Sequence, residues 1–165
     1  MIILDKRKWA DVLKRWHLDK LELSAGFLKM EFTPGEKDKE AAWALYVELL
    51  TRITTQSIED EYGEEKAALD SIYNLFNITR NTIKQYGIGC KEFTKIAIVV
   101  LNRVIRPFTS KWHKLSLQGA FEDKEQCKLF REELKDLQGQ LRNYNNMLAD
   151  MAGVEDLTNL EEFII

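Results

Sequence analysis

The sequence predicts a mainly α fold, an antiparallel bundle of about four long helices with a short N-terminal helix and a small β-hairpin, and three observations carry that expectation. Only two prolines, Pro34 and Pro107, occur in 165 residues, so long runs of backbone N–H groups are free to donate within helices. Apolar residues recur at helical spacing through four long stretches. The last of these, residues 121–152, places Cys127, Phe130, Leu134, Leu137, Leu141, Tyr144, Leu148 and Met151 at alternating intervals of three and four. That is the seam of helices crossing at about +20°.

The chain opens on a short amphipathic helix in which Trp9, Val12, Leu13 and Trp16 follow i, i+3, i+4, i+7 spacing. Residues 18–32 change period. Leu21 and Leu23 alternate with charge, Ser24, Ala25 and Gly26 supply a turn, and Leu28, Met30 and Phe32 alternate again, which predicts the hairpin. Residues 36–59 form the first long helix, with acids in its opening turns and Ala42, Leu45, Leu49 and Ile53 on one face.

The next helix spans residues 64–86, with Leu69, Ile72, Tyr73, Phe76 and Ile83 as its apolar stripe and Gly87 as its C-cap. Its weakest part is residues 77–82, where short polar and β-branched side chains lower helix propensity. A third helix runs from Lys91 to Ile105 or Arg106, where Pro107 disfavours helical dihedrals in the residue before it. Residues 108–115 then add a turn or two at an angle.

One domain covers residues 1–165: an N-terminal helix and hairpin over 1–34, the bundle over 36–152, and an acidic tail with an apolar end over 153–165. Hydrophobic residues make up 45% and charged residues 31%, a balance that supports a core and a solvated exterior. The net charge of −3 argues against nucleic acid as a partner, since such modules carry a basic excess. The longest apolar run, residues 96–101, falls far short of the ~20 residues of a membrane span. Two cysteines, Cys90 and Cys127, make no disulfide framework, and with no signal sequence at the start the cytoplasm is the expected compartment.

Catalytic and metal signatures are missing from the pattern. His17, Cys90, His113 and Cys127 are scattered, with no two at zinc-motif spacing, and the glycines of residues 87–91 lack the preceding strand of a dinucleotide fingerprint. No cofactor is expected, and the chain reads as no enzyme. Cys90, near a helix N-terminus, is the more reactive thiol of the two.

What remains is a cluster of cations and aromatics at the end of the third helix: Asn102, Arg103, Arg106, Phe108, Lys111, Trp112 and His113. Such a corner can hold a phosphate or carboxylate, with arginine giving bidentate contacts, and it equally suits a protein hot spot, where Trp and Arg are enriched. The purely architectural alternative has Phe108 and Trp112 plugging the bundle while Arg106 pairs with Glu48. A second candidate is a buried polar network of Glu48, Arg52, Gln56 and Arg80, begun by the i, i+4 pair Glu48 and Arg52.

The expected role is a non-catalytic interaction or regulatory subunit that contacts a protein partner or a second copy of itself. The alternative is a sensor for a small anion at the corner of Asn102, Arg106, Lys111 and His113. A bacterial conflict or defence system is one setting in which such an accessory would serve.

Overall fold

The computed structural model describes residues 7–52, 64–158 and 160. It is mainly α, with a small antiparallel strand pair. In chain order the elements are β1 (Arg7–Lys8), α1 (Trp9–Arg15), the single-turn α2 (Ala25–Leu28), β2 (Glu31–Phe32), α3 (Glu36–Leu50), α4 (Glu65–Tyr73), α5 (Leu75–Tyr86), α6 (Lys91–Val100), α7 (Arg106–Leu117) and α8 (Lys124–Ala152). Ile53 and Gln56 lie outside the described residues.

The strand pair is not the one the alternation in residues 18–32 predicts. Arg7 pairs with Phe32 and Lys8 with Glu31, so the two strands flank α1 and α2 rather than a tight turn. Ser24 explains the difference: its hydroxyl accepts from the Phe27 backbone N–H and caps α2 where a turn was expected. This small layer is fastened by fully buried Trp9, whose ring meets Phe32 edge-on at 5.0 Å. Its indole N–H donates to Glu92 Oε2 at 3.0 Å, and Lys95 holds the other oxygen of that buried carboxylate at 2.8 Å.

Two helix starts share one carboxylate. Asp38, buried in the first turn of α3, accepts from the Gly35 N–H at 2.8 Å and from the Phe93 N–H at the start of α6 at 3.0 Å. Both groups belong to helix N-termini, where N–H groups lack intrahelical partners and negative charge is favoured. Gly89 allows the approach, because a Cβ there would stand 3.0 Å from Lys37 Cγ.

The predicted helix over 64–86 is divided in two at Asn74, between α4 and α5, and not in the weak stretch 77–82. Gly87 does cap α5, at φ 68°. Pro107 does not end the following helix. The chain widens instead into a π turn over Leu101–Ile105, in which the Arg106 N–H reaches back five residues to Leu101 O, and Pro107 falls in the first turn of α7, where no N–H is needed.

In α8 the predicted seam is buried from Phe130 to Met151, while Cys127 at its start is half-buried. This face packs on α3. Beyond α8 the chain folds back: Tyr46 donates to Asp156 Oδ1 at 3.1 Å and accepts from the Leu157 N–H, and Asn145 Nδ2 donates to Thr158 Oγ1 at 3.2 Å. The first part of the acidic tail is thus docked. Among the described residues, no helix is long and apolar enough to cross a membrane.

Candidate functional site

The continuous run through the π turn into α7 divides the seven corner residues between two environments. Trp112 is fully buried, packed edge-on to Phe130 at 5.1 Å and stacked over Phe121 at 6.1 Å, with Phe108 half-buried 5.5 Å from the Phe130 ring. Its indole N–H donates to Glu133 Oε2, and Lys111 donates to the other oxygen of the same carboxylate. Phe108 and Trp112 therefore close the junction of α7 with α8, as the architectural expectation holds. Arg103 and Lys111 line a groove on that side together with Glu133 and Asp136, so positive charge there faces negative.

Arg106 takes the other side. It is exposed, and its expected partner Glu48 is bound instead to Arg52 at 2.9 Å. Arg106 Nε donates to Asn102 Oδ1 at 3.2 Å, and the guanidinium lies over the Phe76 ring, 4.7 Å from its centroid. The Asn102 contact spans one helical turn, i to i+4 across the π turn, and the Phe76 contact fixes the plane of the guanidinium, leaving its terminal amino groups free to donate.

Those groups enter a cleft of about 300 Å³ lined by Tyr73, Phe76, Arg80, Arg106, Thr109, Ser110 and His113. Arg80 lies one turn beyond Phe76 on α5 and has no hydrogen-bond or ion-pair partner among the described residues. His113 reaches the cleft from α7, two turns after Arg106, and its ring stacks on Tyr73 at 6.4 Å with 17° between planes. Thr109 is buried and turned to its own helix, donating to Ile105 O at 3.2 Å. Ser110 is exposed on the lining. Among the described residues no carboxylate lines this cleft, which separates it from the Arg103 groove: two guanidinium groups and an imidazole share one lining.

Two guanidinium groups lining one cleft favour the approach of an anion. The donor set, two planar guanidinium forks, a hydroxyl and a ring nitrogen, matches a tetrahedral or carboxylate oxyanion.

Of the expected buried network, Gln56 lies outside the described residues, Glu48 and Arg52 form a half-buried i, i+4 helical pair, and Arg80 lines the cleft instead of joining them. Cys90 is buried, its thiol donating to Gly87 O at 3.1 Å, which removes the expectation of a reactive thiol there. Burial and the nearby Glu65 carboxylate push the Cys127 thiol up from its ordinary pKa.

Sequence reasoning placed Tyr73 and Phe76 in a core stripe and Arg80 in a buried network, and so missed that all three face one cleft with Arg106. The available signal was Phe76 and Arg80 at i, i+4, the same spacing that joins Asn102 to Arg106. No family model, no curated protein and no solved structure matches this chain.

Proposed function

We propose that this protein is a non-catalytic regulatory module whose α5–α7 cleft binds an anionic group. The observation that carries the reading is that Arg80, Arg106 and His113 line one cleft to which no carboxylate of the described residues contributes. Its support on the α7 side comes from contacts already made: Trp112 and Glu133 tie α7 to α8, and Asn102 and Phe76 hold the Arg106 guanidinium before a ligand arrives. Preorganisation of this kind lowers the ordering cost of binding.

Calorimetric titration with inorganic phosphate at low ionic strength tests it. Wild type gives a saturable isotherm, Arg80→Ala and Arg106→Ala each weaken it at least about tenfold, a loss of ~1.4 kcal/mol, and the exposed Lys114→Ala leaves it unchanged. An absent isotherm, or equal loss in the Lys114 variant, contradicts the reading.

A protein-binding role has its own support on α3, where Trp43 and Val47 stand one turn apart and exposed, Trp43 at 47%. An exposed tryptophan is a residue of the hot-spot type. Trp43→Ala would then abolish co-purification of a partner from the native host without lowering stability; unchanged co-purification contradicts it.

A further inference from the structure

The rim of the same cleft carries an aromatic surface that an inorganic anion would not use. Tyr73, the last residue of α4, is 61% exposed even though it touches both Phe76, at 5.8 Å, and His113. A tyrosine that served only to close the core would be covered, as Tyr46 and Tyr144 are. Its position follows from the interruption at Asn74, which lets α4 end where α5 and α7 meet. Along the cleft from it, the His113 ring lies against the tyrosine ring, Arg106 stands over Phe76, and Arg80 follows one turn past Phe76.

Resting on the anion reading above, we infer that the ligand is a nucleoside monophosphate, its base stacked on Tyr73 and its phosphate held by Arg80 and Arg106. Three features of the cleft select this class. The phosphate end supplies two guanidinium groups and the Ser110 hydroxyl, enough donors for the three terminal oxygens of a monoester. The outer end supplies an exposed aromatic plane, and a base offers a π face to match it whatever its hydrogen-bonding edge. The volume of about 300 Å³ sits at the small end of ligand pockets, which suits one nucleotide and not a dinucleotide.

The recognition is divided between the two ends, so each can be removed separately. Tyr73→Ala takes away the stacking plane and leaves the cations; Arg80→Ala does the reverse.

Calorimetry with adenosine monophosphate, ribose 5-phosphate, inorganic phosphate and free phosphotyrosine tests the assignment on wild type and both variants. Wild type binds adenosine monophosphate about tenfold more tightly than ribose 5-phosphate, because the base stacks on the aromatic ring and the bare sugar does not. Tyr73→Ala erases that difference and leaves ribose 5-phosphate binding unchanged, Tyr73→Phe retains it, and Arg80→Ala weakens all four ligands. Equal affinity for the nucleotide and the sugar phosphate, with both lost in Arg80→Ala, overturns the nucleotide assignment while the anion site stands. Tighter binding of phosphotyrosine than of the nucleotide overturns it in favour of a phosphorylated protein partner. Failure of all four ligands to bind removes the anion site itself and the inference with it.

Discussion

Trp112 and Arg106 stand six residues apart and have opposite duties. Trp112 is sealed, and its hydrogen bond to the Glu133 carboxylate is of the charge-assisted kind. Trp112→Phe keeps the ring in its packing against Phe121 and Phe130 and deletes that bond. Chemical denaturation should show a loss of ~1.5 to 3 kcal/mol, with phosphate affinity unaltered; full stability in this variant would mean the Glu133 contact contributes nothing. Arg106→Ala should do the converse. The side chain is exposed and its contact with Phe76 is worth ~0.5 to 1 kcal/mol, so stability changes by about that amount while anion binding falls. A loss of several kcal/mol would show instead that Arg106 is a structural ion.

Among elements, the join between the starts of α3 and α6 depends on one side chain. Asp38→Ala strips the shared acceptor from the Gly35 and Phe93 N–H groups, the second of them a buried contact. The combined loss of a helix cap and a buried hydrogen bond comes to ~2 to 4 kcal/mol, measurable as a lowered denaturation midpoint. An unchanged midpoint would show that water replaces the carboxylate at no cost. The element scale is also where the sequence was most and least informative. The α8 seam was legible because one side-chain period extends over the whole helix, and the cap at Gly87 because only glycine takes positive φ cheaply. The strand partners were not, since β1 and β2 meet across an intervening helix pair and no local alternation records a pairing between Arg7 and Phe32. The passage through Pro107 was illegible for a related reason: local propensity gives the preference of Ile105 and Arg106 but not the π turn that relieves it.

Across the whole molecule, charge is unevenly satisfied. Residues 91–114 hold Lys91, Lys95, Arg103, Arg106, Lys111 and Lys114 against the single acid Glu92, yet Lys95 pairs with Glu92 and Lys111 with Glu133 within the fold. What survives is a smaller cluster to which α5 contributes Arg80, a residue 26 positions before Arg106 in the chain. Half of the site was therefore visible as Arg106 and His113, while Arg80 and Tyr73 became part of it only through the packing of α4 and α5 on α7. The cluster is open to solvent, so phosphate affinity should fall steadily as ionic strength rises and the Debye length contracts below about 10 Å.

The most direct measurement is side-chain ¹⁵N-edited NMR of the arginine guanidinium and histidine ring groups during titration with inorganic phosphate. The arrangement predicts that Arg80, Arg106 and His113 shift together along one saturating curve while Arg15 and Arg103 stay in place. Shifts spread evenly over the surface arginines without saturation would contradict a single anion-binding cleft.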